Sequence, residues 1–133
     1  MQKDDNIKIL IADDTDFIRK SVISTLSEIG FTDVSEVKDG VQALSELKKS
    51  KYDLLISDLN MPHLDGISLI RMVRSDPALK DIMIIMLTAE SDKEHILAVK
   101  EIGINDYIVK PFTANVLEKK IEQMFGKRRS VKE

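Results

Sequence analysis

The stretch KYDLLISDLNMPHLDG, Lys51 to Gly66, decides how the rest of the chain is read. Its apolar run, Leu54-Leu55-Ile56, reads as a buried strand and ends on Ser57 and Asp58. A turn with Pro62 follows, and a second turn closes at Asp65-Gly66. Asp is depleted in strands, and an ionised carboxylate is costly to bury unless something pairs with it. A strand that delivers one carboxylate to its exit therefore raises the question of what else converges there.

Toward the N-terminus, Ile7 to Ala12 (IKILIA) reads as a strand, and Asp13, Asp14 and Asp16 crowd the turn after it. Phe17, Ile18, Val22, Leu26 and Ile29 then recur at helical spacing, and Gly30 supplies the stop. Phe31 to Val37 gives a short second strand, and Val41, Leu44 and Leu47 mark a second helix after Gly40. Beyond the opening stretch, Ile67, Ile70 and Val73 define a third helix that stops before Pro77, since Pro disfavours helical geometry in the residue before it. Ile82 to Thr88 (IMIIMLT) is a continuous apolar run, as expected of a central parallel strand covered on both faces. A fourth helix is expected from about Asp92 to Ile102, with Gly103 after it, and a fifth strand at Asp106 to Lys110. Pro111 ends that strand, and Thr113 can cap a fifth helix carrying Val116, Leu117, Ile121, Met124 and Phe125. Strand and helix alternate throughout, which predicts an α/β fold: a parallel sheet with helices on both faces and right-handed crossovers. Residues 1–126 are expected to form one domain, and 127–133, basic at Lys127-Arg128-Arg129, a tail.

Composition narrows the function. The chain has 133 residues, enough for one good core, and a net charge of -3, which gives no basic footprint for nucleic acid. There is no Cys, so thiolate chemistry and Cys-based zinc sites are excluded, and two His, His63 and His95, are too few for an all-His metal site. No apolar run approaches the ~18 residues of a membrane span, and MQKDDN lacks the apolar core of a signal peptide, so a cytoplasmic location is the expectation. His63 and His95 read as surface residues, and Met83 and Met86 as core.

In such a sheet, ligands bind outside the carboxyl ends of the strands. The residues there are Asp13 and Asp14 after strand one, Asp58 on three, Thr88 on four and Lys110 on five. Singly, each has a bland reading as a turn acid, a strand-end hydroxyl or a solvated lysine; together they make a site. Three converging carboxylates repel one another, so they either raise one another's pKa or need a cation, and oxygen ligands without His or Cys favour a hard divalent ion such as Mg²⁺. A carboxylate nucleophile, a metal and an ammonium are what phosphoryl transfer to a carboxylate requires. No Walker lysine loop and no GxGxxG is present to cradle a nucleotide.

The chain resembles the receiver domains of two-component response regulators, and among them the stand-alone chemotaxis regulators. The resemblance rests on ADD (Ala12 to Asp14), SDLNMPHLDG (Ser57 to Gly66), LTAE (Leu87 to Glu90) and DYIVKPF (Asp106 to Phe112), in that order. It implies a flavodoxin-like, doubly wound (βα)5 sandwich with a five-stranded parallel sheet in the order 2-1-3-4-5. It implies that Asp58 accepts a phosphoryl group from a sensor histidine kinase. Asp13, Asp14, Asp58 and the backbone carbonyl of Asn60 would hold Mg²⁺, and Lys110 would bind a phosphoryl oxygen. Thr88 would turn toward the phosphoryl group, Tyr107 would move inward behind it, and Asn60 and Glu90 would flank the water that resets the site. The Lys110-Pro111 bond would be cis. A surface of helix four, strand five and helix five would then engage a downstream protein, the flagellar motor switch by analogy, as a monomer or a phosphorylation-linked dimer. Two departures stand out: Leu59 occupies the place of a Trp in the chemotaxis regulators, and Asp16 adds an acid that would either bind metal through water or repel the phosphodonor.

The expectation is thus a switch rather than a turnover enzyme, without nucleic-acid binding or membrane insertion. The alternatives are a phosphorelay intermediate or a receiver cut from a longer regulator. More distant is a phosphatase working through an aspartyl-phosphate, which multiple turnover on a phosphomonoester would reveal. A flavin binder is disfavoured by acids where a phosphate would sit.

Overall fold

A computed structural model describes residues 7–89, 94 and 96–126. Among the described residues five strands and five helices alternate: β1 (Ile9–Ala12), α1 (Asp16–Glu28), β2 (Val34–Val37), α2 (Gly40–Lys49), β3 (Leu54–Asp58), α3 (Gly66–Ser75), β4 (Met83–Ala89), α4 (Ile96–Ile102), β5 (Asp106–Lys110) and α5 (Ala114–Phe125). All strand pairs are parallel, in the order β2-β1-β3-β4-β5. The described strands one, two and four differ from the sequence expectation only at their ends, and the fifth coincides with it.

Alternation along the strands splits the core into two layers. Leu10, Ala12, Leu55, Ile84 and Met86 pack with Ala43 and Leu47 of α2, Leu69, Ile70 and Val73 of α3 and Val99 of α4. Ile9, Ile11, Leu54, Ile56, Ile85, Leu87 and Ile108 pack on the opposite face with Val22 and Leu26 of α1 and Leu117 and Ile121 of α5. Because successive strand side chains point to opposite faces, the continuous apolar runs of β1, β3 and β4 feed both layers. Met86 is core as expected, whereas Met83 is only partly buried against the second layer.

The helix ends follow the sequence. Asp39 caps α2 by accepting from the Gln42 N–H at 2.8 Å, Asp65 caps α3 through Ser68 at 2.8 Å, and Thr113 caps α5 through Val116 at 3.3 Å. Gly103 follows α4 with φ +125°, a region that favours glycine. Three apolar residues read as helix-face markers are corrected: Phe17, Val41 and Val116 are 77%, 54% and 40% exposed. They lie off the buried stripes of their helices, being five, two and one positions from the buried Val22, Ala43 and Leu117, offsets that do not share a helical face. In α1 the buried face is instead Arg19, Val22 and Leu26.

A second arginine ties the base of one helical layer. Arg74, near the end of α3, donates to the carbonyls of Gly103, Lys80 and Ile82, each at 2.7 Å, and to Asn105 Oδ1 at 3.2 Å. Asn105 Oδ1 also accepts from the Ile84 N–H at 2.7 Å, so the segment leading into β5 is stitched to both α3 and β4.

Candidate phosphoacceptor site

β1 and β3 are adjacent, with Ala12 opposite Ser57, so the residues just beyond them meet at the same edge of the sheet. Asp13 and Asp58 are buried there and Asp14 is exposed; their carboxylates each place an oxygen within 4.8 Å of the others. The site is closed from the β5 side by Lys110, whose Nζ lies 3.2 Å from Asp58 Oδ1. The Leu59 N–H donates to the same oxygen at 2.9 Å. Thr88 is fully buried, one residue beyond Leu87, the register partner of Asp58. Its hydroxyl donates to the Ala89 carbonyl at 3.2 Å.

Asp13 is held on three sides. Its N–H donates to the Val37 carbonyl at 3.2 Å, its Oδ1 accepts from the Thr15 N–H at 2.8 Å, and its carbonyl accepts from Arg19 at 2.8 Å. Its Oδ2 is buried and has no hydrogen-bond partner among the described residues. A buried carboxylate oxygen left unsatisfied among other carboxylates is a poor structural element and a good ligand for a hard cation. The donor set, all oxygen and anionic, fits Mg²⁺. Burial pushes the Asp13 and Asp58 carboxyls above the ordinary carboxylate range. The Thr15 amide and Lys110 pull Asp13 back down, and Lys110 and the Leu59 amide do the same for Asp58.

Asp16, left open by the sequence, is engaged elsewhere. Its carboxylate pairs with Arg19, and that hydrogen bond holds its carboxyl below the usual range. Tyr107 is half-buried, with the Lys100 and Lys120 ammonium groups 5.5 and 5.8 Å from its ring centroid. Asn60 is exposed in the loop after Leu59, and Leu59 itself is buried. The Lys110-Pro111 bond is cis, as the resemblance implied. His63 is an exposed loop residue with φ +69°, and its Nδ1 lies 3.0 Å from Asp39 Oδ2. Glu90, the first residues assigned to the fourth helix (92–93 and His95) and the tail 127–133 lie outside the described residues. Reading the sequence missed Arg19; the signal was an acid three residues before it, Asp16, in a helix whose apolar residues leave a gap at 19.

The profile of the response regulator receiver domain matches residues 9–122. The chain is 44% identical over 119 residues to the chemotaxis protein CheY of Pseudomonas aeruginosa, covering 90% of this chain and 96% of that one. Among solved structures, the chemotaxis response regulator CheY4 of Vibrio cholerae superposes with a TM-score of 0.81 at 35% identity, covering 89% of this chain and 98% of that one. The receiver domain of a Pseudomonas aeruginosa sensor histidine kinase, with magnesium coordinated in its active-site cleft, gives a TM-score of 0.83 at 29% identity over 91% and 98% of the two chains.

Proposed function

The chain belongs to the response regulator receiver domain family, and on that footing we propose that it is a phosphorylation-controlled signalling switch with Asp58 as phosphoacceptor. The observation that carries this reading is the convergence of the three carboxylates with Lys110 Nζ, 3.2 Å from Asp58 Oδ1. Asp58 Oδ1 already accepts from Lys110 and Leu59, so the attacking lone pair is assigned to Oδ2. It displaces the phosphohistidine nitrogen of a sensor kinase: an O–P bond forms, the N–P bond breaks, and the imidazole keeps the electron pair. Asp13, Asp14 and Asp58, with the Asn60 carbonyl, would hold Mg²⁺, which when bound offsets charge on the phosphoryl oxygens. Lys110 takes the remaining phosphoryl charge, and Thr88 supplies a hydroxyl donor. Attack by water returns Asp58 as carboxylate and releases inorganic phosphate.

The phosphoryl group adds roughly -1.5 to -2 charge. Moving a two-state surface from ~1% to ~99% active takes about 5.5 kcal/mol of differential stabilisation. Two or three charge-assisted hydrogen bonds of ~1.5–3 kcal/mol each, from Lys110 and Thr88 among others, are of that size. The responding surface is assigned to α4, β5 and α5, with Tyr107 between Lys100 and Lys120 as its pivot. A chemotaxis or motor-control target rests on similarity to the CheY proteins. The test is intact mass after acetyl phosphate, with and without Mg²⁺, on wild type and Asp58→Asn. One Mg²⁺-dependent phosphoryl adduct, absent in the variant, is expected. No adduct on folded wild type would overturn the reading, and sustained turnover of a phosphomonoester would replace it with a phosphatase.

A further inference from the structure

Arg19 is 4% exposed, on the face of α1 that packs onto the sheet. A guanidinium in that position is costly unless its N–H groups find acceptors. Here they fan out to three different parts of the chain. Nε donates to Glu36 Oε1 on β2 at 2.7 Å, one terminal nitrogen donates to the Asp13 carbonyl at 2.8 Å, and the other pairs with Asp16 one turn back. The Asp13 carbonyl is the third fixed point of that residue, after its N–H and its Oδ1. Its remaining polar atom, Oδ2, is buried with no partner among the described residues.

We propose that Arg19 is a positioning residue for the metal site: by holding the Asp13 peptide against β2 it fixes the Asp13 carboxylate and makes the site selective for Mg²⁺ over Ca²⁺. This rests on the Mg²⁺ site proposed above. Mg²⁺ demands near-ideal octahedral geometry at short distances, whereas Ca²⁺ accepts longer bonds and irregular shells. A loosened Asp13 therefore penalises Mg²⁺ more than Ca²⁺. The pure charge effect has the opposite sign. A cation beside three carboxylates opposes metal binding, so removing it without disturbing geometry would tighten both ions.

The experiment is calorimetric titration of the metal-stripped protein with MgCl₂ and CaCl₂, on wild type, Arg19→Lys and Arg19→Met. Lysine keeps the charge but not the three-way fork. Loss of a group that orients a metal ligand typically weakens affinity about 10- to 100-fold. Both variants are expected to weaken Mg²⁺ at least about 10-fold, with a clearly smaller change for Ca²⁺. Tightening of Mg²⁺, or equal changes for the two ions, overturns the proposal. Should either Arg19 variant fail to fold, Glu36→Ala, at a partly exposed position, removes the acceptor on β2; a fall in the same ratio supports the role and an unchanged ratio overturns it. Wild type that binds no Mg²⁺ would instead bring down the phosphoacceptor reading, a different result from variants that match wild type.

Discussion

Gly66 lies directly against the end of β3: a Cβ on it would stand 2.6 Å from the Asp58 carbonyl oxygen and 3.0 Å from the Leu59 Cα. The Gly66 N–H donates back to the Leu59 carbonyl at 2.9 Å. The β3–α3 loop thus folds back on Asp58, the proposed phosphoacceptor. Gly66→Ala must push the loop off the Asp58 backbone. The expected destabilisation is roughly 1–3 kcal/mol, read by chemical denaturation, together with weaker Mg²⁺ binding. Gly40→Ala, whose Cβ would meet the Leu64 carbonyl at 2.1 Å, presses the same loop from the other side and should destabilise at least as much.

Removing the Asp58 charge should stabilise the metal-free protein. Burial raises the Asp58 carboxyl above its ordinary value of 3.8. Between that value and its raised folded value, the native state binds more protons than the unfolded chain. Its contribution to stability therefore falls as pH rises through that window. Asp58→Asn is expected to melt higher than wild type at neutral pH without Mg²⁺, with the gap shrinking on acidification. Thermal melts from pH 4 to pH 8 would check this, and added Mg²⁺ should raise wild type more than the variant.

Lys110→Met should raise the Asp58 carboxyl further, since the Lys110 charge and hydrogen bond are what chiefly oppose burial there. Carbon-13 NMR of the carboxyl during a pH titration reads this directly. The same variant is expected to slow adduct formation from acetyl phosphate by 10-fold or more, in line with about 10²-fold for removal of a preorganised charge-stabilising group.

Asp39 caps α2 and also meets His63. The Gln42 amide foremost, and the His63 ring beside it, hold its carboxyl below the usual range. That stability is present above the ordinary carboxylate value and is lost as pH falls through the folded one. Asp39→Ala should cost about 1 kcal/mol at neutral pH, and less in acid. Denaturation midpoints at the two extremes would show whether the difference narrows.

Most of the site was legible because it lies at strand ends. Asp58, Thr88 and Lys110 each close an apolar run, and parallel strands bring such ends to one edge. Asp13 and Asp14 were readable for the same reason. Arg19 was not, because a helical apolar count treats every arginine as solvent-facing. Its burial depends on Glu36, contributed by a strand distant in sequence. Phe17 failed in the opposite sense: it is apolar, but five residues from Val22 it falls off the stripe that Val22 and Leu26 bury. The fate of Asp16 turned on the same arginine. With Arg19 missed, the only partners in view for that acid were metal and phosphodonor.

The strand order carries a consequence for how the chain is made. β2 adds to one side of β1, β3 to the other, β4 to β3 and β5 to β4. Each strand leaving the ribosome meets an edge already built, and none has to be inserted between two that are paired. The sheet can grow outward as synthesis proceeds, in keeping with N-terminal-first assembly. Lys110 arrives on the last strand. Until then Asp13, Asp14 and Asp58 face one another without that counter-charge, so the nascent site gives β5 an electrostatic reason to dock.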